Sequence, residues 1–230
     1  MEVEAGRGAW NGPALVVFDL AGTTVEDAGQ VPAAFVATLA EYGITLEAEA
    51  LASVRGSSKR EAIARLLPGD RARADAAYDS FRRQLTVRYA EQGVAAVSGA
   101  EDAFRFLRAS GVRIALNTGF DRSTTELLLS ALRWDRVADA VVCGDEVAKG
   151  RPAPDLILRA MELTATADPQ AVANVGDTSL DLEAGQSAGV RWNVGVLSGA
   201  HGRDRLEKAP HTHLLNDVSE LRTLWENADF

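Results

Sequence analysis

Short apolar runs recur along the chain and end at polar or glycine-containing turns. The first, Ala14–Phe18, is continuous, partly β-branched and followed by Asp19. Runs of this kind are typical of strands that are buried on both faces of a parallel sheet. Similar runs occur at four later positions: Val112–Asn117, Ala140–Cys143, Ala171–Val175 and Trp192–Val196. The hydrophobic pattern therefore predicts an α/β fold built on a doubly wound, Rossmann-like parallel sheet.

Helical patterns separate the later runs, as the crossovers of a parallel sheet require. They cover four segments: Ala100–Ser110, Ser123–Leu132, Pro154–Leu163 and Ser179–Ala188. Ser123 and Glu126 have the spacing of a capping box, which predicts that Ser123 caps the second of these helices. Ligands of such sheets bind outside the carboxyl ends of the strands. The residues that follow each predicted strand are therefore the candidates for function.

The long interval between the first and second predicted strands contains only helical patterns. Its segments are Pro32–Tyr42, Leu46–Val54, Ser58–Leu67 and Asp70–Glu91. In the first of them Phe35, Val36, Leu39 and Tyr42 form an apolar stripe, which we expect to pack inside this insert. The predicted domains are an all-helical cap at residues 27–96 and a Rossmann-like catalytic core at residues 12–26 and 97–230.

Composition narrows the classes of function. The 230 residues are 47% hydrophobic, which is ample for a buried core. The formal net charge is −9 and no basic stripe is visible, which argues against nucleic acid as a partner. No apolar run reaches the length of a membrane span, and Met1–Trp10 lacks the apolar region of a secretory signal. The single cysteine, Cys143, excludes an internal disulfide, so we expect a cytoplasmic protein.

Carboxylates follow the first and fourth predicted strands. Asp19 is followed by Leu-Ala-Gly-Thr-Thr, so that its carboxylate and the hydroxyl of Thr23 can face a phosphate and a metal together. Asp177 follows the fourth run, and Asp181 lies about one helical turn beyond it. Carboxylate oxygens are ligands that Mg²⁺ prefers. The structural alternative is that Asp19 ends its strand and caps a turn, that Asp177 caps a helix, and that Asp181 interacts favourably with the dipole of that helix.

Groups that can bind phosphate follow the second and third runs. Thr118 offers a hydroxyl and Gly119 a closely approaching backbone N–H, both suited to a phosphoryl oxygen. Arg151 stands in Gly-Arg-Pro-Ala-Pro, where two prolines stiffen the loop ahead of a helix N-terminus. A guanidinium there can pair with a phosphate and neutralise its charge. Taken singly, these residues also fit an ordinary β-to-α turn and a surface arginine.

These four motifs, in this order and each at the end of a predicted strand, resemble the haloacid dehalogenase superfamily. The resemblance extends from Leu15 to about Leu224. It implies a hydrolase in which Asp19 is the nucleophile and in which Thr118 and Arg151 bind the phosphoryl group. The implied metal is Mg²⁺, and we expect its protein ligands to be Asp19, the backbone carbonyl of Ala21, Asp177 and Asp181.

The residue at position 21 distinguishes branches of this superfamily. Phosphatases usually carry a second aspartate two residues after the nucleophile, which protonates the leaving oxygen, whereas this chain has Ala21. Proton transfer of that kind is typically worth roughly 10²–10⁴-fold in rate. The segment Asp19-Leu-Ala-Gly-Thr-Thr-Val is similar to the first motif of phosphonatase, phosphonoacetaldehyde hydrolase, and the Arg151 loop is similar to its third motif. This resemblance implies cleavage of the C–P bond of a small phosphonate through an aspartyl-phosphate.

Lys59 is the candidate for activating the organic part of the substrate. In phosphonatase a cap lysine in a Gly-x-x-Lys segment forms a Schiff base with the substrate aldehyde, and Gly56-Ser-Ser-Lys59 matches that segment. With Ser58 as the N-cap, Lys59 is the first residue of its helix, where the macrodipole should lower the pKa of the amine. The alternatives are a solvated lysine or a simple positive charge for a substrate anion.

The cap departs from phosphonatase at three positions. The histidine three residues after the lysine is Ala62 here, the methionine before the glycine is Arg55, and the cysteine ten residues after the nucleophile is Gly29. We therefore expect a phosphonate other than phosphonoacetaldehyde, and Arg55 would suit one with an additional anionic group.

Two rival functions stay open at this point. A phosphatase or phosphomutase acting on a small phosphate ester would draw its acid from elsewhere, for example from Asp27, Glu26 or a residue of the cap, and a non-catalytic homologue would bind phosphate without turnover. In each case the partner is a small phosphonate or phosphate, and the assembly that we consider is a homodimer. His211 and His213 could ligate a metal from one strand face, but we interpret them as part of a solvated edge segment, and Cys143 as inert core.

Overall fold

The computed structural model describes residues 10–226 of the chain, and within them six strands form one parallel sheet. The strands are β1 (Leu15–Asp19), β2 (Arg113–Asn117), β3 (Ala140–Val142), β4 (Val172–Gly176), β5 (Trp192–Val196) and β6 (His213–Leu215). Their order across the sheet is β3-β2-β1-β4-β5-β6, which is that of a doubly wound sheet. The predicted fold class is confirmed, and β6 is an additional strand at the edge.

Ten α-helices accompany the sheet within the described residues. They are α1 (Gln30–Glu41), α2 (Ala48–Val54), α3 (Lys59–Leu66), α4 (Arg71–Gln92), α5 (Ala100–Ala109), α6 (Arg122–Ala131), α7 (Asp155–Leu163), α8 (Ser179–Ala188), α9 (Arg203–Leu206) and α10 (Leu221–Glu226). Two 3₁₀ turns, Pro169–Ala171 and Val218–Glu220, complete the elements. The first four helices all lie between β1 and α5, so the long interval after the first strand is helical, as predicted.

Strand β1 is central because it is hydrophobic on both faces. All five of its residues are buried. Val16 and Phe18 belong to the hydrophobic cluster on one face of the sheet, and Leu15 and Val17 belong to the cluster on the other face. A shift of register by one residue would exchange these two sets of side chains. The packing therefore fixes the position of Asp19 at the end of the strand.

Helices α1–α4 surround a hydrophobic cluster of their own. Phe35 of α1 and Phe81 of α4 contact each other in it, with ring centroids 4.6 Å apart. Phe120 and Leu128, which follow β2, also belong to this cluster and join the insert to the sheet domain. Val36, predicted to lie on the buried stripe beside Phe35, is instead 46% exposed. Adjacent residues point about 100° apart on a helix, so the two cannot share a narrow stripe.

The N-cap of α6 differs from the prediction. It is Asp121, whose carboxylate accepts a 2.8 Å hydrogen bond from the Thr124 N–H, so the capping box predicted at Ser123 is wrong. The same carboxylate accepts a 2.9 Å hydrogen bond from the Tyr78 hydroxyl and forms a 2.7 Å ion pair with Arg82. Both of these partners lie on α4. Asp121 therefore caps a helix of the sheet domain and ties it to the insert.

No helix within residues 10–226 is both long and apolar enough to cross a membrane. Apart from Trp10, the segment in which we expected no secretory signal lies outside the described residues. The last four residues of the predicted core, 227–230, also lie outside them.

Candidate active site

The carboxyl ends of the three central strands lie side by side. Asp19 at the end of β1 is opposite Asn117 at the end of β2, and Phe18 is opposite Val175 of β4. Asp177 is the first residue after β4. Polar side chains that the chain order separates widely are thus brought to one edge of the sheet, which is where open α/β sheets bind ligands.

Arg151 joins the groups at this edge. It lies in the loop before α7 and is only 4% exposed. One guanidinium nitrogen, Nη2, lies 2.7 Å from Oδ1 of Asp19 and also donates to the Asn117 side chain. The other, Nη1, lies 2.9 Å from Oδ1 of Asp181. A single buried cation therefore compensates two buried carboxylates, each of which would be costly to bury alone.

Asp177 is held by the residues around it and is 1% exposed. Its Oδ2 accepts a 2.6 Å hydrogen bond from the Ala200 N–H, and its Oδ1 accepts a 3.2 Å hydrogen bond from the Thr23 hydroxyl. A Cβ atom on Gly22 or on Gly199 would lie 2.4 or 2.0 Å from Oδ2. Only glycine allows these two loops to approach the carboxylate so closely. Thr23, predicted to face the phosphate, lies behind Asp177 instead and does not line the pocket described below.

Asp181 occupies a different environment from Asp177. It is the third residue of α8 and forms a capping box with Thr178, in which its Oδ2 accepts hydrogen bonds from the Thr178 N–H and hydroxyl. Its Oδ1 is paired with Arg151. Within residues 10–226 no group of three or more His, Cys, Asp or Glu side chains is arranged to hold a metal ion. Of the three predicted carboxylates, Asp19 and Asp177 are the two that line the pocket.

Burial and mutual repulsion raise the pKa values of these two acids. Burial raises the pKa of Asp19 to about 6, with Arg151 opposing the rise and Asp181 adding to it. Burial, together with the charges of Asp19 and Asp181, raises the pKa of Asp177 to about 8. Carboxylates that crowd one another in this way favour either a proton or a cation between them.

Lys59 faces the same edge from the insert. It is the first residue of α3, as predicted, and its N–H donates a 3.0 Å hydrogen bond to the Gly119 carbonyl. Its Nζ donates to the Ser57 carbonyl at 3.3 Å and lies 5.0 Å from the centre of the Phe120 ring. The side chain is buried, so a solvated lysine is excluded. Burial is also the main cause that lowers the pKa of Lys59, and the charge of Asp19 only partly opposes it.

One pocket lies between the insert and the sheet domain, and it brings most of the predicted site residues together. Those that line it are Asp19, Ala21, Arg55, Lys59, Thr118, Gly119, Arg151 and Asp177. Thr23 and Asp181 are the two that do not. The Thr118 hydroxyl accepts a 3.2 Å hydrogen bond from the Phe120 N–H, which orients it within the turn after β2. These predicted residues thus contribute two carboxylates, two guanidinium groups, a hydroxyl and an amine to the pocket.

Arg55 reaches the pocket as half of an ion pair. Its Nη2 lies 2.6 Å from Oδ2 of Asp27. The other oxygen of Asp27 accepts hydrogen bonds of 3.2 Å from the N–H groups of Gly29 and Val31. Glu26, the other acid near position 21 in the sequence, is exposed and does not line the pocket. Neither acid therefore presents an unengaged carboxyl group beside Ala21.

A loop that the sequence analysis missed closes the site behind Asp177. Ser198 donates a 2.8 Å hydrogen bond to the Gly22 carbonyl, and the His201 N–H donates to the Asp177 carbonyl at 3.3 Å. The His201 ring accepts a 2.9 Å hydrogen bond from the Ser179 N–H. The signal for this loop was its run of small residues, Ser-Gly-Ala, one residue after the fifth strand, because small residues permit close approach of two backbones.

The other polar candidates lie away from the pocket. His213 is in the edge strand β6, and His211 precedes it on an exposed segment. Cys143 is a free, buried thiol, and burial raises its pKa. These positions agree with the interpretation that the histidines belong to the edge of the sheet and that the cysteine belongs to the hydrophobic core.

The segment 56–59 touches two loops of the sheet domain. Gly56 has a φ of 85°, and a Cβ atom there would lie 2.3 Å from the Thr178 hydroxyl oxygen. Its carbonyl accepts a 3.3 Å hydrogen bond from Arg151. A Cβ atom on Gly119 would lie 2.4 Å from the Ser57 carbonyl oxygen. Glycine at both contacts therefore brings Lys59 close to the strand ends.

We predict that Gly56→Ala will detach this segment from the sheet domain. The added methyl group requires Thr178 to move and the left-handed backbone to strain, so the hydrogen bond from the Lys59 N–H to Gly119 should open more often. Hydrogen exchange measured on a peptide that contains Lys59 should be about tenfold faster.

Gly43→Ala is the matched control. Gly43 has a similar φ of 73°, but a Cβ atom there meets nothing within 4 Å. Both variants should lose about 1–2 kcal/mol of stability from backbone strain alone. Equal exchange at Lys59 in the two variants would show that the contact with Thr178 does not hold the segment.

The chain matches the sequence model of the family described as haloacid dehalogenase-like hydrolase over residues 16–194. Phosphonoacetaldehyde hydrolase from Paraburkholderia xenovorans is 30% identical over 199 residues, covering 79% of this chain and 73% of that protein. Probable phosphatase IndB from Dickeya dadantii is 28% identical over 211 residues, covering 90% of this chain and 91% of that protein.

Among solved structures, a phosphonoacetaldehyde hydrolase-like protein from Oleispira antarctica has the same fold. Its TM-score is 0.83 at 21% identity, with 99% of this chain and 96% of that chain covered. The match to the sequence model of the family extends from β1 to β5, and the matched range includes Asp19, Lys59, Arg151 and Asp177. The chain therefore belongs to the haloacid dehalogenase-like hydrolases.

Proposed function

We propose that this protein hydrolyses the C–P bond of a small phosphonate that carries a carbonyl group β to phosphorus. Asp19 is the nucleophile and Lys59 the amine that activates the carbonyl. The observation that carries this proposal is the position of a buried lysine with a lowered pKa in the same pocket as Asp19 and Ala21. The similarity to phosphonoacetaldehyde hydrolase supports it.

The first half of the reaction uses Lys59. The neutral amine condenses with the substrate carbonyl, releases water and, on taking up one proton, forms an iminium ion. The lowered pKa of Lys59 favours the neutral amine that this step requires. The Phe120 ring, 5.0 Å from Nζ, stabilises the positive charge that the nitrogen then carries.

The second half uses Asp19. Its carboxylate attacks phosphorus, and the electron pair of the C–P bond passes into an enamine on Lys59. Arg151 lies close enough to bind a phosphoryl oxygen as the charge develops, and Thr118 supplies a hydroxyl on the neighbouring strand end. One water hydrolyses the aspartyl-phosphate. The enamine takes up a proton, and a second water, equal to the one released earlier, frees the ketone or aldehyde from Lys59.

The residues present fit a Mg²⁺ ion. The donors are oxygen atoms only, and the mutual repulsion of Asp19 and Asp177 raises the pKa of Asp177 in a way that a bound cation would reverse. Asp19, Asp177 and the backbone carbonyl of Ala21 would hold the ion, which when bound supplies positive charge to the phosphoryl oxygens. Asp181 adds negative charge from the N-terminus of α8, where Arg151 and Thr178 engage both of its oxygens.

A phosphatase or phosphomutase fits this pocket less well. Such an enzyme needs a proton donor for the leaving oxygen, and Ala21 provides none. Asp27 is held by Arg55 and two backbone N–H groups, and Glu26 lies outside the pocket. An enamine leaving group needs no acid at position 21, so Ala21 and Lys59 share one explanation.

The insert serves as a cap whose closure completes the site. Lys59 belongs to the insert and Asp19 to the sheet domain, so the two meet only when the insert is docked. The chain enters and leaves the insert through paired segments, in which the Glu26 N–H donates to Ala95 and the Val97 N–H to Thr24, each at 2.9 Å. This pairing supports the cap boundaries at residues 27 and 96. A cytoplasmic location and a homodimer stay predictions.

Mg²⁺ binding should depend on pH through Asp19 and Asp177. Their pKa values of about 6 and about 8 lie above the ordinary value of 3.8. Without metal, the protonated forms of these acids contribute to the free energy of unfolding. That contribution is fully present below pH 3.8 and is lost as the pH rises through about 6 for Asp19 and about 8 for Asp177. Mg²⁺ binds their ionised forms, so it should raise the melting temperature more near pH 8 than near pH 6.

Thermal unfolding with excess Mg²⁺ or with a chelator measures this difference. Asp177→Asn should abolish the Mg²⁺ response. Asp204→Asn, which changes an exposed acid on α9, should retain it. An equal Mg²⁺ effect at both pH values, or a full effect in Asp177→Asn, would contradict the proposed ion site.

Lys59→Arg tests the imine directly. Arginine keeps the positive charge but cannot form an imine, so phosphate release from a β-carbonyl phosphonate should fall by roughly 10²-fold or more. Borohydride added during turnover of the wild-type protein should leave a reduced substrate adduct on the peptide that contains Lys59. Lys208→Arg, the same change at an exposed position, should alter neither result. An active Lys59→Arg together with no adduct would reduce Lys59 to an electrostatic role.

A further inference from the structure

The part of the pocket that receives the organic end of a substrate has an apolar wall. Val31, Pro32 and Phe35 of α1 and Leu51 of α2 line it. Val31 and Phe35 are almost fully buried, so the wall is part of the insert's own hydrophobic packing. The whole pocket, of which this wall is one side, has a cavity volume of about 20 Å³, little more than the room that one water molecule needs. A substituent beside this wall must therefore be short unless the insert moves.

The only cation on this side of the pocket besides Lys59, among the described residues that line it, is Arg55. Its guanidinium is 2.6 Å from Asp27, whose side chain is 4% exposed and is held by the N–H groups of Gly29 and Val31. The ion pair is neutral as a unit. A substrate carboxylate that drew Arg55 away would leave a buried, unpaired charge on Asp27, which is strongly unfavourable.

We infer that the pocket selects phosphonates whose carbonyl bears a short, uncharged alkyl group, the 2-oxoalkylphosphonates, over those that bear a carboxylate there. The position of the carbonyl rests on the proposed function, whereas the selectivity rests on the wall and on the Arg55–Asp27 pair. This departs from the sequence-based interpretation, in which Arg55 attracts an additional anionic group, because Asp27 already balances the charge of Arg55.

Binding of inert analogues measures this selectivity without turnover. Propylphosphonate and 3-phosphonopropionate share a three-carbon chain and differ in a terminal methyl or carboxylate group. Neither has a carbonyl that can react with Lys59. Calorimetric titration of the wild-type protein in the presence of Mg²⁺ should give about tenfold tighter binding of propylphosphonate. Equal or tighter binding of 3-phosphonopropionate, or no binding of either, would overturn the inference.

Asp27→Asn tests the role of the ion pair. Asparagine keeps an oxygen that accepts from the Gly29 and Val31 N–H groups but loses the charge that holds Arg55. The ratio of the two dissociation constants should shift by about tenfold toward 3-phosphonopropionate. Arg55→Met should not produce this shift. Asp70→Asn, which removes the charge of an exposed helix cap on α4, is the matched control and should leave the ratio unchanged. An unchanged ratio in Asp27→Asn would contradict control by the pair.

These measurements separate the inference from the proposed function. If propylphosphonate is preferred while 2-oxoalkylphosphonates release no phosphate, the selectivity holds and C–P hydrolysis fails. If phosphate is released but 3-phosphonopropionate binds more tightly, C–P hydrolysis holds and the selectivity is wrong.

Discussion

The guanidinium of Arg151 is the contact on which the rest of the site depends. It is buried against Asp19 and Asp181 and also donates to the Gly56 carbonyl of the insert. Without it, the buried carboxylates from β1 and α8 would lose the cation that pairs with both of them, and an unpaired buried ion costs several kcal/mol. Because the same guanidinium reaches the insert, the charge balance of the strand ends and the docking of the helices above them are linked. A phosphoryl group that enters the pocket adds a further anion beside this cation.

The docking of the insert determines which chemistry is available. Glycine at positions 56 and 119 lets two backbones approach closely, and this approach brings Lys59 into the pocket that Asp19 lines. Burial there lowers the pKa of the amine. The insert also contributes the apolar wall and the Arg55–Asp27 pair. Under the proposed function, the sheet domain therefore supplies the residues that act on phosphorus, whereas the helices supply the residues that contact the organic part of the substrate.

The sequence predicted the sheet and the positions of the strand-end residues well. A strand that is buried on both faces is a continuous apolar run, and the run ends where the polar residues at the edge of the sheet begin. It did less well where an interaction joins distant parts of the chain. Asp121 replaces Ser123 as a helix cap because Tyr78 and Arg82, far away in the sequence, also bind it. Thr23 hydrogen-bonds to Asp177, and burial, which the sequence did not reveal, is the main cause of the lowered pKa of Lys59.

We propose that Asp19 cleaves a C–P bond without an acid at position 21. The most direct test compares phosphate release from 2-oxopropylphosphonate with release from hydroxyacetone phosphate, which has the same organic group joined through oxygen. We expect phosphate and acetone from the phosphonate, far slower hydrolysis of the ester, and no release from either by Asp19→Asn. Rapid hydrolysis of the ester with the phosphonate left intact, or full activity in Asp19→Asn, would contradict this proposal.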